Sequence, residues 1–363
     1  MTTSPFDQAW DALAAMKSAP LADLFEREPD RVDRLTLDEA GLHFDFAKTH
    51  LSRALLGGFA RLAEAADLAG RRDAMFAGGI VNPTEDRPAE HVAERGEGAP
   101  DSVALARQLQ ARMRTLIDAI EAGAFGAISS IIHLGIGGSA LGPDLLVDAL
   151  GRGDDRYDVA IVSNVDGVAL EAALDGRDPH ATLLVVASKT FTTSETMLNA
   201  RSAIDWLVHG GVTDPYGRTI ALTASPEKAL EFGVDETRIL PFSEGVGGRF
   251  SLWSPIGFSA ALALGWDSFE SLLEGAAAMD RHFRLAPWDR NAPVLAAFVD
   301  RLYANLRGAP TRAVFAYDER LRLLPSYLQQ LEMESNGKSV RLDGSPAGRT
   351  TAPIVWGGVG TDA

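Results

Sequence analysis

Apolar positions change their spacing along the chain, and each change marks a different kind of element. Over residues 1–75 the stretches "FDQAWDALAAM" and "HLSRALLGGFARLAEAADLA" place apolar side chains three and four residues apart, so this segment reads as helices with short breaks. Residues 76–101, opening "FAGGIVNPTEDRPAEH", mix Gly, Pro and charge and read as a long connection; a helical pattern resumes at 102–123. The spacing then gives way to continuous apolar runs between 128 and 242: "ISSIIHLGI", "YDVAIVS", "ATLLVVA", "TIALTA" and "TRILPF", separated mostly by helical patterns. Unbroken apolar runs are what strands buried on both faces require, which predicts a parallel sheet with helices on each side. Helical patterns return at 253–265 and 267–305, and "RAVFAY" (312–317) opens a second α/β unit with a helix at 323–337 and a strand candidate "APIVW" (352–356). A second sheet of two strands would leave open edges; it is either a small appendage packed on the first domain or, as expected here, the start of a second domain that the chain leaves partway through. The expected organisation is an N-terminal helical segment and connection over 1–101, a first α/β domain over 102–285, and the start of a second over 286–363.

Charge narrows the ligands. With 34 Lys plus Arg against 50 Asp plus Glu, the formal charge is −16, which gives no general attraction to nucleic acid or anionic lipid. An anionic ligand must be held by a local cluster of positive and dipolar groups. The chain contains no cysteine, which excludes disulfide and thiolate chemistry and fits a reducing compartment. The first twenty residues lack a basic-then-apolar leader, and no apolar stretch approaches membrane-spanning length, so a cytoplasmic protein without a membrane partner is expected. The seven histidines show no metal-ligand spacing, no metal site is expected, and His133, inside an apolar strand, reads as a satisfied core residue.

Four stretches carry candidate chemistry. "SKTFTTSET" (188–196) packs six hydroxyls and one lysine into nine positions between a buried strand and a helix. Ser188, Lys189, Thr190, Thr192, Thr193 and Ser194 sit at a junction where a helix N-terminus offers free N–H groups. Helix capping explains part of this, since Thr192 and Glu195 have capping-box spacing, but not the remaining hydroxyls or Lys189; a phosphate monoester needs many short donors and a cation. "HLGIGGSALGP" (133–143) follows another strand. Gly135, Gly137 and Ala140 fit a loose dinucleotide fingerprint, although the second strand ends in Ser163 and Asn164, with Asp166 further on. Alternatively Gly137 and Gly138 let the backbone approach a sugar phosphate while Ser139 donates to it. In "EGVGGRFSLWSPIG" (244–257) the lone Arg249 follows a run of glycines and is suited either to an ion pair or to developing oxyanion charge. In "YLQQLEMESNGKSV" (327–340) Gln330 and Glu334 share a helix face while Glu332 points away.

Together these stretches, with "PIVWGGVGT" and the weaker "NPTEDRPAEH", resemble the glucose-6-phosphate isomerase (phosphoglucose isomerase) family in order and approximate spacing over essentially the whole chain. The resemblance implies sugar-isomerase αβα sandwich domains, the second incomplete, and no cofactor. It implies interconversion of glucose 6-phosphate and fructose 6-phosphate through an enediolate, and a homodimer in the full-length form. By position, Ser188, Lys189, Thr190, Phe191, Thr192 and Thr193 match the phosphate-binding loop, with Gly138 and Ser139 at the sugar-phosphate site. Gln330 matches a substrate-contacting glutamine, Glu334 the base that moves the proton between C2 and C1, and Arg249 the arginine that stabilises the enediolate. The ring-opening histidine and lysine of the family are expected beyond residue 363, so the chain is expected to be truncated and inactive alone. Ala140, Pro83 and Glu90 depart from commoner family residues. The alternative is a non-catalytic sugar-phosphate-binding regulator of the same domain type.

Overall fold

The five apolar runs between residues 128 and 242 are the strands of one parallel sheet in the structure, a computed structural model that describes residues 4–153 and 156–360. They are β1 (Ser130–Gly135), β2 (Asp158–Val162), β3 (Thr182–Ala187), β4 (Thr219–Thr223) and β5 (Ile239–Pro241), in the order β2-β1-β3-β4-β5. Every residue of β1, β3 and β4 is buried. Successive side chains point to opposite faces, so such strands must be apolar on both. Ile131, Leu183, Val185, Ile220 and Leu222 pack in one layer with Met113, Ile117, Phe258 and Leu262. Ile132, Leu134, Leu184, Val186 and Ala221 pack in the other with Ala200, Ala203, Leu207 and Ala229. Helices Pro100–Glu121 and Phe258–Leu264 therefore cover one face, and Gly167–Leu174, Ser194–His209 and Pro226–Phe232 the other. This is the expected three-layer αβα sandwich. β2 and β3 flank β1 on opposite sides, which opens a crevice at the carboxyl ends of β1 and β3, where ligands of such sheets bind.

By contacts the chain groups into two units, each discontinuous in sequence. One holds the parallel sheet and comprises residues 89–273, 314–331 and the segment from Trp356. The other comprises the N-terminal segment to Pro88 with 274–313 and 332–355. Its core is built from Leu13, Leu35, Leu55, Phe59, Leu295 and Phe298, with the Phe59 and Phe298 rings stacked at 4.9 Å. Arg31 is fully buried there. That is tolerable because its guanidinium donates to the carbonyls of Ala47 (2.7 Å), Leu51 (2.6 Å) and Thr49 and pairs with Glu28.

Helices stand at Pro5–Ala14, Leu21–Arg27, Arg53–Ala65 and Leu68–Phe76, as the periodicity predicts. Residues 36–45 differ from the all-helical reading: Thr36–Glu39 and Leu42–Asp45 form an antiparallel hairpin. Its turn uses Ala40 and Gly41 at φ of 50° and 76°, the left-handed pair that a two-residue hairpin turn needs. The strand candidates at 312–317 and 352–356 lie at Thr311–Ala316 and Ile354–Val359 and pair with each other.

Candidate active site

β1 runs into a tight turn, Gly137–Ser139, before helix Leu141–Leu150. His133 holds that turn from inside the strand. The Ser139 carbonyl can only accept, so His133 Nε2 donates to it (2.7 Å), and Nδ1 then accepts from the Ser259 hydroxyl (2.8 Å). Burial keeps the imidazole neutral, lowering its pKa to about 4. It is the satisfied core histidine that its apolar setting predicts. Gly138 has no room for a side chain: a Cβ there would lie 2.0 Å from the Gly248 carbonyl oxygen and 2.6 Å from the Arg249 nitrogen. A Cβ on Gly137, at φ 59°, would meet the Gln330 amide at 2.6 Å. The glycines thus let the turn touch both the arginine loop and Gln330. The dinucleotide alternative loses its acid, because Asp166 caps helix Gly167–Leu174 by accepting from the Val168 N–H (2.9 Å).

The hydroxyl loop leaves the end of β3, across the crevice from that turn. Its start is fixed by a bond from Ser188 N–H to the Leu222 carbonyl (3.0 Å). Phe191 adopts φ 52° and buries its ring against Phe232, so it anchors the loop and its side chain does not face outward. The N-cap of helix Ser194–His209 is Thr193, not Thr192, and no side chain caps the helix. The Thr193 hydroxyl pairs instead with that of Ser188 (3.0 Å), and Thr192 donates to Thr190 (2.8 Å). The capping-box account therefore fails here. Hydroxyls and free N–H groups remain together at a helix N-terminus, the arrangement that suits an anion. Lys189 sends its ammonium to the carbonyls of Glu244 (2.7 Å) and Val246 (3.1 Å), tying this loop to the one carrying Arg249.

Arg249 lies in the turn Gly248–Trp253, its guanidinium 4.6 Å over the Phe250 ring and its buried Nε without a hydrogen-bond partner. Ser251 closes the turn by donating to the Gly248 carbonyl (2.6 Å), with the Gly138 carbonyl 3.3 Å away. The helix expected over 323–337 is present over 324–336, but it is interrupted by a π-helical turn at Gln330–Glu334. Such turns recur at functional sites. Glu334 belongs by contacts to the other unit, where it accepts from the Ser335 hydroxyl (2.8 Å). Glu332 is engaged elsewhere, with Arg312 at 3.1 Å. Among the described residues no cluster suited to a metal ion occurs, and no helix is long and apolar enough to cross a membrane.

One buried acid near the arginine loop makes a stability prediction. Burial raises the Glu94 carboxyl from 4.5 to about 8, opposed by its contact with Gln110. The folded state then holds a proton that the unfolded state releases, so this group's stabilisation is complete below 4.5 and is lost as pH rises through about 8. Glu94→Gln should flatten the fall in Tm between about pH 4.5 and 8. Unchanged melting curves across that range would show that Glu94 ionises normally.

A parallel αβα unit with a hydroxyl-rich loop and an arginine loop at its switch point defines a sugar-isomerase type of fold. The chain belongs to the phosphoglucose isomerase family, whose profile matches residues 45–363. It is 71% identical over 355 residues to the glucose-6-phosphate isomerase of Rhizorhabdus wittichii, covering 98% of this chain and 71% of that protein. Against the glucose-6-phosphate isomerase of Zymomonas mobilis it is 60% identical, covering 98% and 70%. The crystal structure of a glucose-6-phosphate isomerase from Chlamydia trachomatis superposes with a TM-score of 0.88 at 28% identity, over 98% of this chain and 71% of that one.

Proposed function

We propose a division of labour among these side chains for the family's reaction, the reversible aldose–ketose isomerisation of glucose 6-phosphate and fructose 6-phosphate, a step of glycolysis and gluconeogenesis. Ser188, Thr190, Thr192 and Thr193, with the first N–H groups of helix Ser194–His209, take the phosphate, and Lys189 supplies positive charge. Phe191 secures that loop from below. Gly138 and Ser139 border the sugar phosphate, and Gln330 binds a sugar hydroxyl. Once the ring is open, Glu334 removes the C2 proton of the aldose. The C–H electron pair moves into a C1–C2 double bond, and the carbonyl oxygen becomes the enediolate oxyanion. Arg249 stabilises that charge, a proton passes from the C2 hydroxyl to the C1 oxygen, and Glu334 returns the abstracted proton to C1 as the C2 oxygen becomes the ketose carbonyl. C1 is reduced by the same two electrons that C2 loses, so the step needs no external oxidant. The observation that supports this reading best is the close approach of Gly138 to Gly248 and Arg249, with Gln330 beside Gly137. It brings an oxyanion-stabilising arginine and a hydroxyl-binding amide to the turn at the strand ends.

Lys189→Ala tests the phosphate assignment. A charge-assisted contact is worth about 1.5–3 kcal/mol, roughly 10–100-fold in binding. The KM of both sugar phosphates and the inhibition constant of inorganic phosphate should rise together by about that factor. A higher KM with unchanged phosphate inhibition would place the phosphate elsewhere. The regulator alternative is not favoured, since the relatives bear an enzyme's name. We further place the protein in the cytoplasm as a homodimer, on the family resemblance; light scattering and cell fractionation test both, and a monomer or an exported protein would refute them.

A further inference from the structure

We propose that Glu90 and His91 form a clasp that positions Arg249 for the isomerisation, an inference that rests on the oxyanion role of Arg249 given above. The segment around Arg249 is rich in glycine, at positions 245, 247 and 248. Glycine backbones lose the most conformational freedom on ordering, so this loop cannot fix a guanidinium by itself. Electrostatic catalysis needs the opposite, a charge already in place before the oxyanion forms.

The missing rigidity comes from residues 90–95. The Glu90 N–H donates to the Gly245 carbonyl (2.9 Å), while its carboxylate accepts from the hydroxyls of Ser243 (2.8 Å) and Ser102 (2.6 Å). A Cβ on Gly245 would fall 2.3 Å from Glu90 Oε2, so a side chain there would push the carboxylate off its hydroxyl partners. The next residue, His91, stacks on the Phe250 ring at 4.4 Å and 21°, and Phe250 carries the Arg249 guanidinium. Further along, Arg95 lies 4.9 Å over Trp253. The arginine loop is thus gripped before, beside and after Arg249 by one short stretch of chain.

Two facts say what His91 contributes. Its Nδ1 is buried without a hydrogen-bond partner, so that nitrogen fixes nothing. Burial, with Arg95 and Arg249 nearby, lowers its pKa to about 3, which keeps it uncharged and spares the guanidinium a competing cation. The working part is the flat ring face. Stacking fixes Phe250, and Phe250 fixes the guanidinium.

The experiment compares His91→Ala, His91→Phe, Arg249→Ala and the double variant His91→Ala/Arg249→Ala in the intact protein. The readouts are kcat, KM for fructose 6-phosphate, and inhibition by inorganic phosphate as a check on the folded site. Misplacement of a catalytic group by ~1 Å costs on the order of 100-fold. His91→Ala should therefore lower kcat by roughly 10–100-fold with KM and phosphate inhibition nearly unchanged. His91→Phe keeps a flat face and should restore most of the turnover. In the Arg249→Ala background, His91→Ala should cost little more, because the group it positions is gone. If Arg249→Ala leaves kcat intact, the oxyanion reading and the clasp both fall. With Arg249→Ala impaired, the clasp alone is overturned by full turnover in His91→Ala, by a His91→Phe as poor as His91→Ala, or by losses that multiply in the double variant.

Discussion

Glu334→Gln is expected to lower turnover by at least roughly 100-fold while leaving KM within a few-fold, the usual cost of removing a general base. The substitution keeps the size of the side chain and an oxygen able to accept the Ser335 hydroxyl, so a structural explanation of the loss is weak. What disappears is the basic oxygen that lifts the C2 proton. Exchange of the C2 hydrogen with solvent deuterium reports that step separately from overall turnover, because removal alone suffices for exchange. Both should fall together. Exchange at the wild-type rate would remove Glu334 from the base's role, whatever happens to kcat.

Arg249→Lys should be nearly as damaging as Arg249→Ala, each losing on the order of 100–1,000-fold in kcat, the range for removing one oxyanion donor. Lysine keeps the positive charge but loses the planar fork that lies over Phe250. Because the arginine meets charge present only in the intermediate, substrate KM should change little. Affinity for a planar anionic hydroxamate mimic of the enediolate should fall by about the same factor as kcat. A lysine variant with near-normal turnover would mean that bulk positive potential, not a placed guanidinium, is what the site needs.

Much of the fold was legible because strands buried on both faces cannot hide. Between their polar ends β1, β3 and β4 are apolar except for the hydrogen-bonded His133, and their runs stand out against amphipathic helices. The hairpin at Thr36–Asp45 was missed, although Leu35, Leu37, Leu42 and Phe44 alternate about the Ala40–Gly41 turn. Flanking helical patterns obscured a signal of period two. The hydroxyl loop was recognisable by content, but the cap position was not. Only packing shows that Thr193 turns its hydroxyl to Ser188 instead of to the helix backbone. The π-turn at Gln330–Glu334 has no compositional mark, since the same residues suit an α-helix. Glu90 stood out only as an unusual residue. Its partner Ser243 is far away along the chain, so pattern reading could not connect them.

The wide separation of the site's parts along the chain bears on how the protein comes into being. The turn at Gly138, the loop from Ser188 and the arginine at 249 meet only after β3 has inserted beside β1, a parallel pairing that closes a long loop. Such non-local contacts form slowly, so no early, partly folded species can carry a working pocket. A sugar phosphate therefore cannot guide the first collapse, but it can retain its product. By binding only the finished arrangement it lowers the population of every opened form in proportion to its occupancy. Metabolite supply in the cell would then act as a thermostat on the lifetime of the sheet-bearing unit, slowing its loss to proteolysis when hexose phosphates are plentiful.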